Sequence, residues 1–347
     1  MSQSVFTDFD RKCMRRALQL ARAGLGHTSP NPMVGAVIAA PDGRIIGEGW
    51  HRHFGGPHAE VNAVRSVREA DLALLPQSTI YVSLEPCSHY GKTPPCAKML
   101  CECRFRRVVI AAGDPNPKVS GRGVRMLRDA GITVDEGLME ADAMELNRRF
   151  MTSQILRRPF ITLKWAQSAD GFMDARRSYG EGAYRFSIPL TSQLVHWRRA
   201  LHDAIAVGAR TVLADRPRLD VRLIEGQSPR PVVFDRHCLI SPACLSQMRS
   251  DAIVIDSDEP VADVMHRLYA DFGISSLLVE GGAGLLRSFL AAGLWDEAWV
   301  EVSHICLGHE GAVMAPAIAQ LPEKTVIISH NSVNFYSHYG LCGVKNI

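Results

Sequence analysis

Apolar positions along the chain change period several times, and each change marks an element. Residues 10–24 place Cys13, Ala17, Leu20 and Ala21 at helical spacing, which predicts an amphipathic helix. Two short apolar runs, Val34–Ala39 and Ile45–Gly49, flank Pro41-Asp42-Gly43, a turn sequence, and predict a hairpin. The pattern then alternates. It predicts helices over Ala59–Val67, Cys96–Cys103 and Val124–Ala130, the last stopped by Gly131. Strands are predicted over Thr79–Leu84, Val108–Ala112 and Ile132–Val134. Strands alternating with helices imply a parallel sheet with helices on its faces.

A polar, Arg-rich segment interrupts this from Asn147-Arg148-Arg149 to Arg157-Arg158-Pro159. It predicts two domains, residues 1–150 and 151–347, in keeping with a length of 347 residues. The second part restarts with strands over Phe160–Trp165, Ala204–Val207, Pro231–Phe234, Ile253–Ile255 and Leu277–Glu280. Helices are expected near 192–201, 261–270 and 283–292, again an α/β unit, with no repeat linking it to the first. Residues 174–187 and 214–230 are Gly-, Arg- and Pro-rich and read as long loops, which often carry function.

Composition narrows the class. With 39 Lys and Arg against 36 Asp and Glu, the net charge of +3 gives no footprint for a polyanion binder. The Arg pairs 15–16, 106–107, 157–158 and 198–199 are dispersed, which fits solvated faces better than a nucleic-acid surface. Apolar residues at 46% and charged ones at 22% exclude a disordered chain. The uncharged stretch Ala23–Pro41 holds three prolines and three glycines in nineteen residues and is no membrane helix. Nine cysteines in a long chain, behind a start with no apolar signal core, point to a reducing, cytoplasmic setting. There a cysteine pair beside a histidine reads as a metal site rather than a disulfide.

Such a set exists. His58-Ala59-Glu60 opens a predicted helix, Pro86-Cys87 follows a predicted strand, and Cys96 opens the next helix. One imidazole and two thiolates suit tetrahedral zinc and leave the fourth position to water, which zinc acidifies towards neutrality. Glu60 sits beside the ligand without being one, where a carboxylate can take a proton from water and return it to a leaving amine. The pattern matches the zinc nucleobase deaminases only in part, because eight residues separate the two cysteines instead of two. The competing reading is a closed zinc site with Cys101 or Cys103 as fourth donor, or cysteines that merely pack. It leaves Glu60 without a role.

These residues resemble a known family. His58-Ala59-Glu60 together with the run from Glu85-Pro86-Cys87 through Ser88-His89-Tyr90-Gly91-Lys92-Thr93-Pro94-Pro95 to Cys96 is similar to the deaminase half of the bifunctional riboflavin-biosynthesis deaminase/reductases. Pro30-Asn31-Pro32-Met33-Val34-Gly35, Asp114-Pro115-Asn116-Pro117 and Gly121-Arg122-Gly123 also match, and the cysteine spacing is that family's own. The resemblance implies a cytidine-deaminase-like αβα domain. It implies that His58, Cys87 and Cys96 hold Zn2+, and that Glu60 moves protons while zinc hydroxide attacks the amino-bearing C2 of a diaminopyrimidinone ribosylamino phosphate. Asn31, His51, His89, Lys92, Asp114 and Asn116 fall at its substrate contacts. Amides and carboxylates suit a polar heterocycle, and Lys92 with the histidines suits a phosphate. Each also has a plain reading: Asn31 and Asn116 lie between prolines, where Asn caps turns.

In the second half, Leu278-Val279-Glu280-Gly281-Gly282-Ala283-Gly284 ends a strand and opens a helix. Such a junction can cradle a phosphate, but helix-on-strand packing explains it about as often. Resemblance to the same family's reductase half strengthens it. Leu163-Lys164, Ser168-Ala169-Asp170-Gly171, Leu201–Ile205, Thr211–Asp215 and Leu219–Arg222 match in order. The implied fold is a dihydrofolate-reductase-like α/β domain, and the implied reaction is NADPH-dependent reduction of the ribosyl group to ribityl. Cofactor contacts then fall on Ala166, Thr211, Asp215 and the run Gly282, Ala283, Gly284, Leu285, Leu286, Arg287 and Ser288. Substrate contacts fall on Lys164, Arg199, Leu219, Arg222 and Glu280, with Lys164 placed to polarise the reacting end. The family forms dimers or larger assemblies, and its partner is a small pyrimidine ribosyl phosphate, with no nucleic acid and no membrane.

The chain departs from that pattern in its second half. Where the family has Gly-Glu-Ser-x-Trp-Ile-Thr, it reads Gly180-Glu181-Gly182-Ala183-Tyr184-Arg185-Phe186-Ser187, so Ala183 and Arg185 replace two ligand contacts. Arg236 replaces a small hydroxyl residue after Asp235. The new arginines could add a phosphate contact or obstruct the cofactor. A deaminase with a degenerate reductase half therefore stays open, as does a zinc deaminase acting on nucleic acid.

Overall fold

The computed structural model describes residues 6–90, 94–116, 120–176 and 181–338. The chain divides into two compact units after Leu156. Position 150 lies inside a helix that continues to Leu156, so the division falls at that helix's end. Among the described residues no helix is long and apolar enough to cross a membrane.

The first unit runs α1 (Asp8–Arg22), β1 (Gly35–Ala39), β2 (Ile45–Trp50), α2 (Ala59–Arg65), β3 (Thr79–Leu84), α3 (Cys96–Glu102), β4 (Arg107–Ala112), α4 (Arg122–Asp129), β5 (Thr133–Glu136), α5 (Glu140–Leu146) and α6 (Arg148–Leu156). Its sheet has the order β2-β1-β3-β4-β5. The sheet is mixed, not parallel throughout: β3, β4 and β5 are parallel, while β1 runs antiparallel to both β2 and β3. For β1 and β2 the reason is the short turn at Pro41-Asp42-Gly43, which can return a chain only antiparallel.

Strand alternation builds three layers. Ala36, Ile38, Val108 and Ile110 pack on one face with Ala59, Ala63, Leu100 and Leu127 from α2, α3 and α4. Val37, Ala39, Val109 and Ala111 pack on the other with Cys13, Met14 and Ala17 of α1. A capping box starts α1: the Asp10 N–H donates to Thr7 Oγ1 at 3.1 Å, and the Thr7 N–H donates to the Asp10 carboxylate at 2.8 Å. The same buried carboxylate accepts from the Tyr81 hydroxyl at 2.7 Å and from Arg107 at 2.6 Å, which ties α1 to β3 and β4.

The second unit contains β6 (Phe160–Gln167), β7 (Phe172–Ala175), α7 (Pro189–Ala200), β8 (Ala204–Gly208), α8 (Ala209–Asp215), β9 (Arg230–Phe234), α9 (Pro242–Leu245), β10 (Ile253–Ile255), α10 (Val261–Phe272), β11 (Ser276–Val279), α11 (Ala283–Ala291), β12 (Glu297–Val302), β13 (Gly311–Met314), β14 (Lys324–Ile328) and β15 (Asn331–Ser337). The main sheet has the order β10-β9-β8-β11-β6-β12-β15-β14. It is parallel from β10 to β12, and β15 is antiparallel to both its neighbours. A separate ribbon pairs β7 with β13.

The sequence pattern identifies no strand beyond residue 292, yet β12 pairs with β6 and β15 within the main sheet. Its two glutamates mask it. Both are buried, Glu297 accepting from the Thr162 hydroxyl at 2.8 Å and Glu301 from Thr191 at 2.7 Å and Asn331 at 2.7 Å. Partnered carboxylates are tolerated inside a sheet where unpartnered ones are not.

Candidate metal centre and nucleotide cavity

The metal-ligand candidates meet at one end of the first unit's sheet. His58 is the N-cap residue of α2 and makes no side-chain cap hydrogen bond. Cys87 follows β3, and Cys96 is the first residue of α3. His58 Nδ1 lies 3.6 Å from Cys87 Sγ and 3.4 Å from Cys96 Sγ, and the three donor atoms all fall within 4.8 Å of one another. A tetrahedral zinc with ordinary bond lengths needs N···S edges of about 3.6 Å, so the donors fit the ion. The Cys96 N–H donates to Cys87 Sγ at 3.2 Å, and the Ala97 N–H donates to the Cys87 carbonyl at 3.1 Å. The start of α3 therefore holds the Cys87 thiolate in place.

Among the described residues no fourth His, Cys, Asp or Glu joins this group. Cys101 and Cys103 pack against the core instead, and the Cys101 thiol lies 3.7 Å from the Met126 carbonyl. The site has three protein donors, as a catalytic zinc centre does.

Its electrostatics are set by burial. Cys87 is held well below the ordinary thiol range by hydrogen bonds from Cys96 and His58, while Cys96 is pushed up by Cys87 and by burial. The Cys87 thiolate lifts His58 to about 9. Glu60, in the first turn of α2, is only 3% exposed. Burial first, and the Cys87 charge second, raise its carboxyl to about 7, against the opposing pull of His58. A carboxyl titrating near neutrality can both take and return a proton.

His51 packs edge-on to His58 with ring centroids 5.4 Å apart. Its Nδ1 faces the Pro57 carbonyl at 3.1 Å, and its Nε2 faces the Asn31 amide at 3.3 Å, so the second nitrogen accepts. Asn31 and His51 thus stand as one linked pair beside the ligand. Asp114 lies within electrostatic reach of Cys87 and His89, and burial raises its carboxyl to about 6 although the Asn116 N–H, at 2.8 Å, opposes this. His89 is exposed, and Lys92 lies outside the described residues. One residue that sequence reasoning passes over is Glu85, whose buried carboxylate accepts four backbone N–H groups beside this site. Its only sequence signal was its place before Pro86-Cys87.

In the second unit a cavity of about 780 Å³ opens beside Gly208, Phe234 and Glu280, which end or follow β8, β9 and β11. Such strand ends are where open α/β sheets take ligands. Gly282, Ala283, Gly284, Leu285, Arg287 and Ser288 line it, with Thr211, Asp215 and Glu280 opposite or beside them. No side chain caps the start of α11, so its first N–H groups are available to an anion. The two glycines before it are sterically required. A Cβ on Gly281 would sit 2.4 Å from Val207 Cα, and Gly282 has φ +32° with Thr211 Oγ1 2.9 Å from its Cβ position. The cradle and the volume fit a dinucleotide.

Other expected contact residues lie outside the cavity wall. Leu286 is fully buried in the core, because helical periodicity turns it away from the cavity that Leu285 and Arg287 line. Ala166 lies on β6 opposite Glu301, outside the cavity wall. Leu219 is also buried, packed with Ile205, Val212 and Val233. Arg199 faces Glu280 rather than open space, and its Nη1 also donates to the Asp220 carbonyl at 3.0 Å. Arg222 pairs with Asp220, and its N–H donates to His196 Nδ1 at 3.0 Å. Burial holds Lys164 below the usual lysine range, although Glu280 and Glu301 draw it back up. Ala183 and Arg236 line the cavity, whereas Arg185 does not; Gly180 lies outside the described residues.

Comparison with known proteins agrees with this division. Residues 7–112 match the cytidine and deoxycytidylate deaminase zinc-binding region, and residues 159–330 match the RibD C-terminal domain. The chain is thus a zinc-dependent deaminase unit followed by an NADPH-dependent reductase unit. It is 36% identical to the riboflavin biosynthesis protein RibD of Aquifex aeolicus over 87% of this chain and 88% of that one. The Escherichia coli K12 protein of the same name is 35% identical over 90% of this chain and 93% of its own. The structure of Acinetobacter baumannii RibD superposes with a TM-score of 0.83 at 32% identity, covering 94% of this chain and 98% of that chain. The chain belongs to the RibD family, the bifunctional deaminase/reductases of riboflavin biosynthesis.

Proposed function

We propose that the chain carries out two successive steps on one pyrimidine ribosylamino phosphate. A Thermotoga maritima structure, similar at 35% identity and TM-score 0.80, is described as a diaminohydroxyphosphoribosylaminopyrimidine deaminase/5-amino-6-(5-phosphoribosylamino)uracil reductase. In the first step the ring C2–NH2 bond is replaced by C2=O with water consumed and ammonia released. In the second, NADPH gives hydride to the sugar C1′, a proton goes to the ring oxygen, and the ribosyl group opens to ribityl.

The observation that carries this reading is the grouping of His58, Cys87 and Cys96, with no fourth donor among the described residues, beside buried Glu60. Zinc held there supplies the Lewis acidity that activates water. Glu60 takes the proton of the attacking water and delivers it to the departing amine, a duty suited to its buried place in the first turn of α2, two residues from His58. Asn31, His51, Asp114 and Asn116 orient the heterocycle. In the second unit the α11 cradle holds the cofactor phosphates, and Lys164 steadies charge at the reacting sugar. Arg236 leaves the cavity open at about 780 Å³, which supports a working reductase over a degenerate one.

The test is an assay on the pyrimidine phosphate with and without NADPH, alongside metal analysis. Ammonia should appear without NADPH, and NADPH oxidation should require the deaminated product. Zinc-loaded protein that releases no ammonia would overturn the reading.

A further inference from the structure

Glu85 stands just past β3, two residues before Cys87, and is 6% exposed. Its carboxylate serves backbone donors from two other segments. Oε2 accepts from the Gly121 N–H at 3.0 Å and the Asp114 N–H at 3.4 Å. Oε1 accepts from the Gly123 N–H at 3.0 Å and the Val124 N–H at 3.4 Å. Gly121, the N-cap residue of α4, has no side chain with which to cap it. The cap comes instead from another strand, and it satisfies N–H groups that a helix start leaves orphaned. The contact is close in the backbone too: a Cβ on Gly123 would lie 2.2 Å from the Pro86 carbonyl oxygen.

One carboxylate therefore joins the peptide that carries Cys87, the start of α4, and the segment that carries Asp114 and Asn116. Two oxygens with two lone pairs each match four donors; an amide offers one oxygen and would turn N–H groups against two of them. We propose that Glu85 is a positioning residue for deamination, fixing the Asp114–Asn116 segment against the metal loop so that the pyrimidine is held in register with the metal. The inference rests on the proposed reading that Asp114 and Asn116 contact substrate.

The experiment uses the full-length, zinc-loaded chain and the pyrimidine ribosylamino phosphate. Glu85→Gln should raise the deamination KM about tenfold with kcat changed less than about twofold. Zinc content should match the unsubstituted protein, and so should reduction of separately supplied deaminated product. Gly123→Ala keeps the carboxylate but places a Cβ 2.2 Å from the Pro86 carbonyl oxygen and 3.2 Å from Glu85 Oε1, so α4 must move off both; it should show the same KM signature and carries the test if Glu85→Gln does not fold. An unchanged KM in the variants, or loss of zinc alongside any KM change, overturns the inference. Unsubstituted protein without deaminase activity would instead defeat the proposed function.

Discussion

Arg199 and Glu280 meet as a bidentate ion pair, with Nε–Oε1 at 2.9 Å and Nη2–Oε2 at 2.7 Å. Both side chains are nearly buried, 12% and 11% exposed. Burial alone would raise the Glu280 carboxyl, but Arg199, then Lys164 and His196, hold it below the usual range. Removing one partner leaves a charge without its fork. Arg199→Met should destabilise the second unit by about 3 kcal/mol, read by urea unfolding, and adding Glu280→Met should recover part of that loss. Additive losses would mean that the two residues are not coupled.

At the metal centre, Glu60→Gln removes the proton relay and leaves the three donors in place. Zinc content should stay unchanged while ammonia release falls at least about 100-fold. Full turnover by this variant would remove Glu60 from the mechanism. Cys96→Ser, by contrast, should lose zinc and ammonia release together, while the reduction of supplied product persists.

Acid should find Asp10. Burial works against its charge, but the Thr7 N–H, the Tyr81 hydroxyl and Arg107 outweigh it and bring the carboxyl from 3.8 to about 2. A carboxyl depressed in the folded state adds stability above its unfolded pKa, and that stability is lost as pH falls from about 4 through 2. The contribution near neutral pH is about 2 kcal/mol. Asp10→Asn should show a flatter stability profile than the unsubstituted chain between pH 5 and pH 2 in denaturant titrations; identical slopes would contradict the assignment.

Arg236 stands in the wall of the reductase cavity, where its Nε meets His237 Nε2 at 3.2 Å. A cation beside a dinucleotide cavity should aid a phosphate-rich cofactor. Arg236→Ser should weaken NADPH binding about tenfold, measured by fluorescence titration. Tighter binding would show that this arginine obstructs the site.

The sequence made much of this legible because local periodicity and local chemistry agreed. α1 to α4, the hairpin and the strands through β11 other than β7 follow apolar spacing, and His58, Cys87 and Cys96 came together as their places at helix starts and a strand end implied. What stayed hidden depends on partners distant in sequence. β12 looks unlike a buried strand until Thr162, Thr191 and Asn331 are seen holding its glutamates. Arg199 reads as a phosphate ligand, and nothing in the sequence announces its bidentate pair with Glu280, 81 positions away. Leu286 is hidden for a local reason: consecutive residues of a helix do not share one face, so it turns into the core while its neighbours line the cavity.

His58 is the N-cap residue of α2 and Cys96 begins α3, so the same ion that polarises water would also tie two helix starts to the segment that follows β3. Stripping it should loosen both first turns at once, visible as faster amide exchange in two stretches far apart in sequence. Heat or chelator would then close down deamination and loosen the starts of α2 and α3 as one event, and supply of the metal would become part of how this half of the enzyme acquires its final shape.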